Sequence, residues 1–125
     1  MSDVETKDMI RMLSFGRIVI GAGAFMAPRR FGRAWTGGPA EETASVMAVR
    51  GLGARDVALG LGTLLALEGD GPVRGWLEAQ ALADASDTVS TLANFGDIPG
   101  IRRFVMLATA ATACYLGIRL AGEVD

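Results

Sequence analysis

Four apolar runs of roughly twenty residues, separated by short clusters of charge, glycine and proline, set the pattern of this chain. Residues 9–27 are apolar except for Arg11, Ser14 and Arg17, and Pro28 closes the run. A second run covers 45–67, a third 73–94 and a fourth 101–121. Helix is the reading for each, because the runs are too long for strands and no alternating pattern of comparable strength is present. At about 1.5 Å per residue the first is just long enough to cross a hydrocarbon core, the fourth is the cleanest spanning candidate and the third the weakest. The predicted architecture is all-α, an up-down-up-down four-helix bundle with short connections, transmembrane in placement.

The connections carry their own signals. Residues 1–8 form a polar lead, either disordered or the start of the first helix, and 122–125 a short tail. Glu41 and Glu42 precede the second helix, where acidic groups suit the positive end of the helix dipole. Residues 68–72 and 95–100 combine charge, Gly and Pro, and predict tight turns. After Pro28 come Arg29, Arg30 and Arg33 beside Phe31 and Trp35. This mixture predicts a membrane-interface connector anchored by Arg29, Arg30, Arg33 and Trp35, with aromatic rings at headgroup level and cations toward anionic lipid. Cationic residues divide almost evenly between the two sides, and the Arg29–Arg33 cluster tips the first connector toward the cytoplasm. No cleaved signal peptide is expected, because the lead is not basic and Arg17 interrupts the apolar run.

The third run departs most from a lipid-facing pattern. It holds Glu78, Gln80, Asp84, Ser86, Asp87, Thr88, Ser90 and Thr91, so it is expected in the interior of a bundle or at an interface. Gln80, Asp84, Asp87 and Thr91 share one helical face. Arg17, Asp56 and Asp84 fall near the midpoints of the first three helices. Fixed charge at mid-membrane costs roughly 2.5–3.5 kcal/mol per group on insertion scales, so such charges pair. Arg17, Arg50, Arg55, Asp56, Asp84 and Asp87 are therefore expected to form one internal network, three positive and three negative. The network would either fix helix register or let Asp84 and Asp87, two nearby carboxylates in a dry place, bind a proton, a cation or a polar ligand.

Composition narrows the function. Half of the 125 residues are hydrophobic but only 6% are aromatic, and the 17 glycines are about twice the usual share. Small residues let membrane helices approach closely, and Ala54, Ala58, Gly60 and Gly62 are the expected packing positions on the second helix. The net charge of −2 argues against a nucleic-acid partner. With no His, a Ser-His-Asp triad and the commonest acid–base and metal-ligating side chain are ruled out. The single Cys114 excludes an internal disulfide and reads as a small apolar side chain. Gly21-x-Gly23-x-x-Met26 lacks the third glycine and the following βαβ pattern of a dinucleotide site. No cofactor, metal or catalytic residue is expected.

Three motifs together carry a resemblance: Gly21-x-x-x-Phe25-Met26-Ala27-Pro28-Arg29, Gly53-Ala54-Arg55-Asp56-Val57-Ala58-Leu59-Gly60, and Ala83-Asp84-x-x-Asp87. The chain resembles, from about Gly16 to Gly117, an uncharacterised family of small four-helix integral membrane proteins. The resemblance implies multi-pass placement, in the plasma (inner) membrane, and brings no activity, substrate or cofactor. The expected function is an accessory or structural membrane subunit, with the lipid bilayer as partner and a homo-oligomer or larger membrane complex as its setting. The alternatives are a small carrier or proton-binding protein using Asp84 and Asp87, and a soluble α-helical domain that dimerises through its apolar faces.

Overall fold

A computed structural model describes residues 1–37 and 43–124. Among these, every regular element is helical: α1 (Asp3–Met26), α2 (Pro28–Thr36), α3 (Thr43–Glu68), α4 (Val73–Ala93), a 3-10 turn (Phe95–Asp97) and α5 (Arg102–Ala121). The all-α expectation holds, with five α-helices in place of four. The extra one is the connector itself. Pro28 supplies the preset φ that suits a helix start, and Gly37, at φ 73°, closes α2 in the left-handed conformation that glycine adopts without strain. The proposed dipole role of Glu41 and Glu42 lies outside the described residues.

The polar lead is also helical. Ser2 Oγ accepts the Glu5 amide at 3.2 Å, and the Ser2 amide donates to the Glu5 carboxylate at 2.7 Å. This reciprocal cap satisfies two amides that the first turn leaves open, so α1 begins six residues earlier than its apolar run.

Packing is uneven. α1 lies tightly along α3, and α4 along α5, while the two pairs meet through a thinner seam between α3 and α4. The α1–α3 crossing is made by glycine. A Cβ on Gly53 would stand 2.5 Å from the Gly21 carbonyl oxygen, and one on Gly21 would stand 2.6 Å from the Gly53 oxygen. About two turns along, a Cβ on Gly60 would meet the Ser14 carbonyl at 2.7 Å. Gly117 receives Ala81 in the α4–α5 pair, and Gly62 lies under the Trp76 ring across the seam.

The small-residue ridge of α3 is therefore rotated from the expected one. Gly60 and Gly62 pack as anticipated, but Ala54 and Ala58 are exposed and Gly53 takes their place. Both faces carry small residues at helical spacing. The inward one is selected by Asp56 and Thr63, which lie with Gly53 and Gly60 and need polar partners that only the interior supplies.

Apolar core is concentrated at the end where the chain starts and finishes: Ile10, Ala66, Val73, Leu77, Leu120 and Ala121 form its buried cluster. The opposite end is closed by α2 and the start of α5, where Pro99 and Arg102 stand against Gly37 and Arg102 Nε donates to the Ala34 carbonyl at 3.3 Å. Because a Gly53 Cβ would press on the α1 backbone at Gly21 and Phe25 and on the Ala24 Cβ, none of which can swing aside, Gly53→Ala should lower stability by about 1–3 kcal/mol. Gly51→Ala, on the open side of the same helix, should be neutral or stabilising by up to ~1 kcal/mol. Denaturant titration of the two purified variants in detergent reads the contrast directly; equal stability would exclude glycine-mediated contact at Gly53.

Candidate functional site

The seam is occupied by an alternating chain of carboxylates and guanidiniums. Arg17, one turn from the middle of α1, donates from Nη2 to Asp84 Oδ2 at 2.5 Å and from Nη1 to Asp56 Oδ1 at 3.1 Å. Asp56 Oδ1 also receives Arg55 Nη2 at 3.2 Å. Arg55 then grips Asp87 with two parallel bonds, Nη1 to Oδ1 at 3.0 Å and Nη2 to Oδ2 at 2.7 Å. The order is Asp84–Arg17–Asp56–Arg55–Asp87, drawn from three helices. Bidentate arginine–carboxylate pairs fix direction as well as distance, so this chain specifies how α4 faces α1 and α3.

Helical spacing puts these groups there. Asp84 and Asp87 are one turn apart on α4, with Gln80 and Thr91 on the same face; Gln80, Asp84 and Thr91 are buried. Thr88 and Thr91 hydroxyls donate back to the carbonyls of Asp84 and Asp87 at 2.7 and 2.8 Å, so they add no unmet donor to the interior. One turn toward the apolar core, Gln80 bonds the Thr63 hydroxyl, which itself donates to the Leu59 carbonyl at 2.7 Å. No buried side-chain polar atom among the described residues lacks a partner.

Exposure is graded along the chain. The Asp84 side chain is 7% exposed and that of Arg17 12%, rising to 29% for Arg55 and 37% for Asp87. Asp84 is thus the dry end and Asp87 the open one. Charge is not balanced: three carboxylates face two guanidiniums. Five of the six expected network residues are brought together, and Arg50 is not. It is exposed and its Nε donates to the Phe25 carbonyl at 3.2 Å. The last turn of α1 leaves carbonyls without intrahelical donors, and Arg50 reaches one of these, whereas Asp87 is already held by both arms of Arg55. The expected net-zero set becomes a set with one negative charge in excess.

The residues expected as interface anchors lie on α2. Phe31 and Trp35 stack with ring centroids 6.1 Å apart, while Arg29, Arg30 and Arg33 are exposed. Thr63, Gln80 and Trp76 take part in the seam without standing out as site residues in the sequence. Gln80 and Thr63 had a usable signal, each lying one or two turns from a network aspartate on the same face. Among the described residues, no group of three or more Cys, Asp or Glu side chains is arranged to hold a metal ion. No family model matches the chain, and neither a curated protein nor a solved structure does.

Removing Asp84 would leave the Arg17 guanidinium facing a buried site with one partner lost. Asp84→Ala should destabilise the fold by about 3–5 kcal/mol, and Arg50→Gln by less than about 1 kcal/mol. Denaturation midpoints of the two variants in one detergent check both values. An Asp84→Ala protein as stable as wild type would remove the network from the list of structural determinants.

Proposed function

We propose that this chain is a small integral membrane protein whose four long helices form an up-down-up-down transmembrane bundle capped by α2. It acts as an accessory or structural subunit. The observation that carries the reading is the exposure of large apolar side chains on every long helix beside buried polar groups at mid-height. Phe15, Ile20, Leu65, Leu82, Val89, Phe104 and Ile118 are each more than half exposed, while Ser14, Thr63, Gln80 and Asp84 are buried. In water that arrangement leaves large apolar side chains on all four long helices in contact with solvent. In lipid it is the favourable one.

Length and composition agree. The long helices hold 24, 26, 21 and 20 residues, or about 30–39 Å. α1 and α5 are apolar enough to cross a bilayer, and only 22% of the apolar stretch of each is buried, unlike the core helix of a soluble protein. α3 is uncharged over 43–67 apart from Arg50, Arg55 and Asp56, and the last two are paired internally. A soluble domain dimerising through one apolar face would still expose the other helices. The family resemblance points the same way, and the plasma (inner) membrane is the expected location. In this setting Arg17, Arg55, Asp56, Asp84 and Asp87 serve to hold two helix pairs in one register.

Expressed protein should sediment with membranes, resist carbonate extraction and enter solution only with detergent. Release by carbonate or by salt alone would refute membrane insertion. Co-purification in mild detergent then identifies the larger assembly to which a subunit of this kind belongs.

A second reading is favoured by the charge imbalance. Three carboxylates held by two guanidiniums in a dry seam share one negative charge too many, and a bound proton removes it. Isotope-edited infrared spectra should then contain a protonated-carboxyl band at neutral pH that disappears in Asp84→Asn. Absence of that band in wild type would leave the network purely structural.

A further inference from the structure

We propose that the face of the molecule formed by α2 and the start of α5 docks on a leaflet rich in anionic phospholipid, its arginines pairing with headgroup phosphates. This rests on the membrane placement proposed above and names the lipid class at one of its two faces. The observation behind it is a difference between the ends of the bundle in how cations are partnered.

Where the chain starts and finishes, every Lys or Arg side chain has a carboxylate. Lys7 pairs with Asp3 at 3.2 Å, Arg11 with Asp8 and Glu68 at 2.9 and 2.7 Å, Arg74 with Glu78 at 2.9 Å and Arg119 with Glu123 at 3.2 Å. At the other end, Arg29 and Arg30 are exposed and pair with no carboxylate among the described residues. Arg102 and Arg103 donate to backbone carbonyls, of Ala34 at 3.3 Å and Gly100 at 3.2 Å, and Arg103 also lies 5.3 Å from the centre of the Phe95 ring. A carbonyl or an aromatic face orients a guanidinium without cancelling its charge. Counted over the described residues, the segments at this end, Arg50 included, carry +5, those at the opposite end −3 and the seam −1; Glu41, Glu42 and Asp125, outside the described residues, bring the whole to −2.

Apolar surface surrounds these arginines. Phe25, Met26, Ile101 and Phe104 are exposed at the same end. α2 is sharply two-sided, with Pro28 and Gly32 buried against the bundle and the stacked Phe31 and Trp35 half-buried. Charge bordered by large exposed apolar groups fits the boundary between headgroups and acyl chains, where each condition is met at a different depth. A free polyanion such as RNA would satisfy only the charge. Guanidinium forks match phosphate oxygens in pairs, and the anionic leaflet in a cell is the cytoplasmic one.

The test reconstitutes the full chain with phosphatidylglycerol or phosphatidylcholine and reads retained lipid by native mass spectrometry from mild detergent. Wild type should retain phosphatidylglycerol preferentially, and added salt should weaken that preference. Arg29→Gln with Arg30→Gln should reduce it by roughly tenfold or more, taking about fivefold per arginine near the surface. Arg74→Gln with Arg119→Gln, at the paired end, should leave it intact. Inorganic phosphate as competitor separates the sources: full displacement at millimolar concentration would assign the arginines to a soluble anion and overturn lipid docking. Equal retention of both lipids by wild type would overturn the inference while leaving membrane insertion intact. Failure to enter either membrane would overturn both.

Discussion

The Asp84–Arg17–Asp56–Arg55–Asp87 chain is the constraint to which the remaining contacts adjust. Tight packing within α1–α3 and within α4–α5 would stabilise two separate pairs, and the seam between the pairs is too thin to fix their mutual orientation by apolar contact alone. The bonds that do so are directional. Arg17 spans from α1 to both α3 and α4, and Arg55 fixes Asp87 by two donors. Sliding α4 by one turn would leave only one aspartate opposite an arginine and bring a neutral side chain opposite the other. In a low-dielectric interior a mismatch of that kind costs more than a lost apolar contact.

Glycine makes the constraint reachable. A guanidinium on α1 can meet carboxylates on two other helices only if the helix axes are close. At Gly21–Gly53 and at Gly60 the backbones approach to distances no larger residue permits. Buried hydroxyls and Gln80 continue the same interior toward the apolar cluster, so the protein is polar at mid-height and apolar at one end. Its outward surface, by contrast, carries many exposed Phe, Leu, Ile and Val side chains.

Much of this was legible in the sequence, and unequally so. The four long helices follow from unbroken apolar runs, and their charged residues stood out because so little else in the runs is polar. Asp84 and Asp87 could be placed on one face by spacing alone. Arg50 could not be placed: its depth along α3 was compatible with Asp87, and only the geometry of the α1 terminus, with an open Phe25 carbonyl in reach, draws it away. Ala54 and Ala58 failed for a related reason. Two faces of α3 carry small residues at equivalent spacing, so spacing could not choose between them; the polar residues that share a face with Gly53 and Gly60 do. The helix over Pro28–Thr36 was hidden by its shortness, since nine residues rich in arginine have no apolar run to announce them.

The two tight pairs do not carry equal charge. Within the seam, α1 and α3 contribute Arg17, Arg55 and Asp56, one positive charge in excess, while α4 contributes Asp84 and Asp87, two negative charges, and α5 none. Neither pair is electrically satisfied before it meets the other. Each half therefore carries an unmatched charge, and its complement supplies the match. A half docked in any other register would retain a buried charge without its partner, so the correct pairing is favoured over near misses by charge as well as by shape.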